Sequence, residues 1–180
     1  MRLSTAVLAL AAFSSQAIAK PSTAVVDACV RTESTARHVR YTPIETGAFH
    51  VTEDGEAGKT DTTLRHGKDT IGTWEVQKPP AFGLLFNGKE TSLAHVIRLD
   101  RSQAPVPFSP YLAMWGIVRD GQTSYVCITF NFDGLGRSGT FQNVRGLYLI
   151  ERKTTSRNIF YAIGNISGSK ISSAATSESQ

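Results

Sequence analysis

The chain has 180 residues, a mass of 19.5 kDa, a formal net charge of +4 and a pI near 9.2. With 41% hydrophobic and 19% charged residues it has the composition of an ordinary globular domain, which excludes a disordered chain, a coiled coil and a collagen. The mild basicity is compatible with anionic partners without demanding them.

Met1 to Ala19 has the form of a secretory signal peptide: a positive charge at Arg2, a short apolar run from Ala6 to Phe13, and small residues at Ala17 and Ala19. The apolar run is too short for a membrane helix. Cleavage after Ala19 is expected to leave a β-rich domain from Lys20 to Ile166, followed by a Ser-rich tail, 167–180, without aromatics, which the composition predicts to be disordered. No membrane span is expected once the signal is removed. Cys29 and Cys127 are the two cysteines, and in an exported chain they are expected to form one disulfide.

Val25, Val26, Cys29 and Val30 recur at helical spacing behind Ser22 and Thr23, so a short helix is predicted within Ser22–Val39. Beyond it the pattern is β. Short strands are predicted at Val39–Ile44 and Ala48–Thr52, followed by a long polar loop, Glu53–Thr70. Strands are then predicted at Ile71–Val76, Phe82–Phe86, Thr91–Asp100, Tyr111–Arg119, Thr123–Phe132, Thr140–Arg152 and Asn158–Ile166. Asn87-Gly88 and Asp120-Gly121 are hairpin turn signals. Gln103–Pro110, with three prolines, and the glycine-rich Asp133–Gly139 read as loops.

Alternation assigns faces. Val126, Ile128, Phe130 and Phe132 lie opposite Tyr125, Cys127, Thr129 and Asn131, and Leu93, His95, Ile97 and Leu99 share one apolar face. Ala113, Trp115 and Ile117 lie opposite Leu112, Met114 and Val118, so this strand is expected to be covered on both sides, with the N-terminal helix as one cover. The fold class is mainly β: an antiparallel meander forming a sandwich or partly open barrel, with a short N-terminal helix.

Gly134-Leu-Gly136-Arg-Ser-Gly139 matches G-x-G-x-x-G, but a strand pattern follows it where a dinucleotide-binding fold needs a helix. A β–β connection is the expected meaning. Gly72-Thr73-Trp74 resembles the G-x-W opening of lipocalin-type barrels. The resemblance covers this tripeptide and implies a Trp that closes one end of a ligand-holding barrel beneath an Arg of the last strand. The chain departs from that family in the many residues before Trp74 and in having too few strands after it to complete eight.

Four histidines, His38, His50, His66 and His95, form no metal-binding pair in sequence, and no metal or cofactor is expected. On its apolar face His95 is expected to be a buried core histidine. A hydrolase using His95 or His50 would require their convergence with a carboxylate such as Glu45 or Glu75. Glu90 and Asp100 likewise fall at strand ends, where charges normally mark solvent. Basic residues cluster at Arg37, His38 and Arg40 and again at Arg152, Lys153 and Arg157. They lack the interleaved aromatics of a single-strand nucleic-acid site and are read as solvated faces. Asn165-Ile166-Ser167 is a glycosylation sequon for a eukaryotic secretory route.

Titratable groups are thus scattered, whereas loops on a stapled scaffold are plentiful. The expected function is that of a secreted, single-disulfide β-domain binding a macromolecule outside the producing cell, as a virulence effector, toxin or inhibitor does. Arg101, Phe108 and Arg137, on or beside the loops, are the candidate contact residues. The alternatives are a nuclease-like secreted hydrolase and a small-ligand carrier with an internal cavity.

Overall fold

The computed structural model describes residues 18–100, 103–131, 143–153 and 158–166. Residues 1–17 of the predicted signal peptide, the glycine-rich segment Asp133–Gly139 and the Ser-rich segment 167–180 lie outside them. The described part opens on helix α1 (Thr23–Arg31). Ser22 caps it, its hydroxyl accepting from the Val25 N–H. At the other end Thr32 takes the left-handed conformation, and the N–H groups of Thr32 and Glu33 donate to the carbonyls of Cys29 and Ala28. Arg145 donates to the Val30 carbonyl at 2.8 Å, setting a cation against the negative end of the helix dipole.

After α1 the chain enters β1 (Val39–Pro43). It then builds a meander of β2 (His50–Asp54), β3 (Lys59–His66), β4 (Asp69–Gln77), β5 (Pro80–Phe86) and β6 (Lys89–Ser92). It returns through β7 (Ile97–Arg98), β8 (Met114–Asp120), β9 (Thr123–Asn131), β10 (Val144–Glu151) and β11 (Ile159–Asn165). One sheet has the order β1-β8-β9-β10-β11-β7 and the other β2-β3-β4-β5-β6. Asn87-Gly88 and Asp120-Gly121 make the tight turns expected of them, with positive φ at Asn87, Gly88 and Gly121.

The fold is mainly β, two largely antiparallel sheets packed face to face with one short helix outside. Leu64, Ile71 and Leu84 of the five-stranded sheet meet Trp115, Ile117, Val126, Ile128, Tyr148 and Ile150 of the six-stranded one. The far face of the six-stranded sheet, with Val118, Tyr125, Leu147, Leu149 and Phe160, is covered by Val25, Val26, Cys29 and Val30 of α1. This double cover is why β8 reads as apolar on both faces. The helix comes so close to β11 that a Cβ on Gly164 would stand 2.3 Å from the Val30 side chain. The expected disulfide is present: Cys29 and Cys127, 98 positions apart, join α1 to β9, both fully buried.

Four expectations are corrected. Glu53–Thr70 is a hairpin rather than a loop: threonines, whose branched side chains suit a pleated surface, fill β3, and Thr62 and Leu64 alternate inward. Thr91–Asp100 is two strands rather than one. Ser92 accepts from the Ala94 N–H and starts a 3-10 turn, Leu93–His95, after which β7 joins the other sheet, parallel to β11. His95 is therefore exposed and not a core residue. The five-stranded sheet is itself an antiparallel meander, inserted between β1 and its partner β8. The sheets do not join into a barrel, and Trp74 alternates to the outer face of its sheet, over Gly83, so the lipocalin-like role of that Trp has no counterpart.

An ion pair ties the sheets together at one end. Asp69, at the start of β4, accepts from Nε of Arg152 at 2.8 Å and from its Nη2, while Asn87 donates to it at 3.0 Å. Burial pushes the Asp69 carboxyl up, but hydrogen bonds from Asn87 and Arg152, with the charges of Arg152 and Lys68, outweigh it and hold it below its ordinary range. A depressed carboxyl stabilises the fold above its unfolded pKa of about 3.9 and loses that contribution as pH falls through the lower folded value. Asp69→Asn should therefore cost about 2 kcal/mol at neutral pH. The gap from the parent should close below about pH 4, as melting curves from pH 7 to pH 2 would show; a gap independent of pH contradicts the assignment.

Candidate functional site

At the opposite end of β4 the two sheets diverge. Cross-strand register sets Glu53, Thr60, Glu75 and Phe82 in one row, and Val51, Thr62, Thr73 and Leu84 in the next. Both rows lie on the inner face, since Leu84 points into the core. Glu53 and Glu75 are thus two strand spacings apart on one face, about 9–10 Å between Cα atoms.

Residues 107–111 close the other side, leaving an open groove of about 570 Å3. Aromatic packing fixes this segment. The Phe108 ring stacks on Phe130 at 4.8 Å and meets Phe82 at 5.5 Å and Tyr148 at 5.6 Å. Trp115 donates its indole N–H to the Pro110 carbonyl at 3.0 Å, and the Tyr148 hydroxyl donates to the Val106 carbonyl at 2.7 Å. Burial pushes the Tyr148 phenol far above its ordinary range, so it remains a donor at any physiological pH.

The mouth and the floor differ in character. At the mouth Tyr111 is 59% exposed and Val51 42%, and the rings of Tyr111 and Phe49 meet edge to face at 5.1 Å. Glu53 and Glu75 are exposed beside them, and Thr62 and Thr73, both buried, line the floor. The arrangement suits a ligand with an apolar body and a cationic head: the body lies against Tyr111, Phe82 and Val51, and the head meets two carboxylates.

The structure distributes the sequence-derived candidates widely. Phe108 is 7% exposed and forms the floor beneath the groove rather than a projecting contact. His50 lies on β2 and His95 follows β6, at opposite edges of the five-stranded sheet, so the two do not converge. His66 ends β3, away from the groove. Glu90 pairs with Lys59 at 2.7 Å, Glu45 is exposed before β2, and Asp100 follows β7. Glu75 alone of these carboxylates lines the groove. Asn165 is exposed at the end of β11. Arg101 and Arg137 lie outside the described residues. Among the described residues no three His, Cys, Asp or Glu side chains gather as a metal site, and no helix is long and apolar enough to cross a membrane.

Val51, Glu53 and Tyr111 were not legible as site residues. Their signal was the alternation Val51-Thr52-Glu53 against Thr60-Asp61-Thr62, which polar composition disguises as a loop. No family model, no curated protein and no solved structure matches this chain.

Proposed function

We propose that the chain is an exported recognition protein of effector or inhibitor type. The groove between β2–β5 and the 107–111 segment receives a partner protein's segment, in which an aliphatic or aromatic residue adjoins Lys or Arg. One observation carries this reading. Val51 and Tyr111, two of the exposed large hydrophobics, line a groove that also holds Glu53 and Glu75; the others among the described residues are Leu112, next to Tyr111 in sequence, and Ile18. The signal-like Met1–Ala19 and the Cys29–Cys127 bond support export, since disulfides persist in oxidising compartments.

The separation of His50 from His95 gives the hydrolase alternative no support. The rings of Phe108, Phe130, Tyr148 and Tyr161 fill the space between the sheets, where a carrier would hold its ligand.

A displayed random-peptide library selected on Lys20–Gln180 tests the proposal. Enriched peptides should place Lys or Arg next to Leu, Phe or Trp. The double variant Tyr111→Ala, Glu53→Gln should weaken them at least about tenfold, with little change in melting temperature, because both side chains are exposed. Enrichment of acidic peptides, or affinity indifferent to the double variant, contradicts the proposal.

A further inference from the structure

A second surface lies at the other end of the sandwich and is independent of the groove. Arg40 of β1 stands directly opposite Arg119 of β8, and Arg119 opposite Ser124 of β9. Arg152 continues the row, its N–H donating to the Ser124 carbonyl at 2.9 Å and its Nη1 to the Ser124 hydroxyl at 3.3 Å. Residues directly opposite on neighbouring strands share a face, so three arginines far apart in sequence lie on one surface. Arg119, Arg152, Lys68 and Lys153 line an open cleft of about 590 Å3, with Thr123 and Ser124 beside them.

The charges in this cleft are not equally occupied. Arg152 is held by Asp69, and Lys153 pairs with Glu151 at 2.8 Å. Among the described residues Arg40, Arg119 and Lys68 form no ion pair. Like charges facing each other across strands repel, so the Arg40–Arg119 pair opposes folding while creating a positive potential at the cleft. Asp69, which also lines the cleft, is taken by Arg152 and shares its field with Lys68, so one carboxylate faces more cations than it neutralises. A phosphate or sulfate group offers several oxygens to guanidinium forks and matches this set.

We propose that this cleft binds an oxyanion group of phosphate or sulfate type, held by Arg119 and Lys68, with Arg152 fixed by Asp69 as its wall and Arg40, opposite Arg119 on the neighbouring strand, adding positive potential at its edge. The group arrives either on a small phosphorylated molecule or on a sulfated polysaccharide. Two titrations of Lys20–Gln180 at low salt separate these sources: inorganic pyrophosphate, and a heparin-derived oligosaccharide. At least one should saturate and weaken with added salt. Saturation by pyrophosphate alone assigns the phosphate source, and by the oligosaccharide alone the sulfated one.

Arg119→Gln should weaken binding about tenfold or more. Its melting temperature should hold or rise, because a like-charge contact is removed; Arg40→Gln serves as the second variant. Lys78→Gln, an exposed lysine in the turn between β4 and β5, should bind as the parent does. The proposal is overturned if neither probe saturates. It is equally overturned if both arginine variants bind like the parent, or if Lys78→Gln weakens binding as much as they do.

Discussion

Replacing Cys29 and Cys127 together by alanine should destabilise the domain by about 4 kcal/mol, the loss of chain-entropy restraint expected for a loop of nearly a hundred residues. For a domain of this size that corresponds to a fall in melting temperature of roughly 10 °C. The loss concentrates on one layer. The disulfide fastens α1 to β9, and α1 is only nine residues long, too short to persist without its packing. Loosening it exposes Val118, Leu147, Leu149 and Phe160, which the helix otherwise covers. Urea unfolding of the double variant against the oxidised parent measures the difference. Equal midpoints would mean that burial under α1, and not the covalent link, holds this layer.

The second large effect is at Phe108. Truncation to alanine removes a ring that contacts Phe82, Phe130, Trp115 and Tyr148, and should cost about 3–5 kcal/mol. Phe108→Leu should recover much of this, since it keeps most of the apolar volume. The pair of variants separates two roles for the 107–111 segment. If Phe108 holds the segment in place, Phe108→Ala lowers stability and ligand affinity together, whereas Tyr111→Ala lowers affinity alone. A loss under about 1 kcal/mol for Phe108→Ala, with affinity reduced, would instead make Phe108 a direct contact.

Much of the scaffold was legible because local signals and burial agree there. Asn87-Gly88 and Asp120-Gly121 supply positive φ where hairpins need it, and the apolar residues on both faces of β8 report its cover on both sides. The cysteines were legible because only two are present. Legibility failed where composition and burial part company. In β3 two of the inward positions, Thr60 and Thr62, are threonine, so the hairpin that carries Glu53 resembles a polar loop. In 91–100 the apolar period continues through a turn fixed by one Ser92 hydroxyl, and the chain changes sheets without interrupting the pattern. The row of Arg40, Arg119 and Arg152 was hidden for another reason. Arg40 joins Arg119 only through the β1–β8 pairing, across an inserted sheet, and no local periodicity encodes that register.

The proposed export and the sulfur bridge go together, and one non-reducing peptide map of the protein recovered from its producing cells tests both. The account predicts a chain that begins at Lys20, found outside the cytosol, with the Cys29 and Cys127 peptides covalently joined. A chain that still begins at Met1, retained in the cytosol with both thiols open to alkylation, would contradict it.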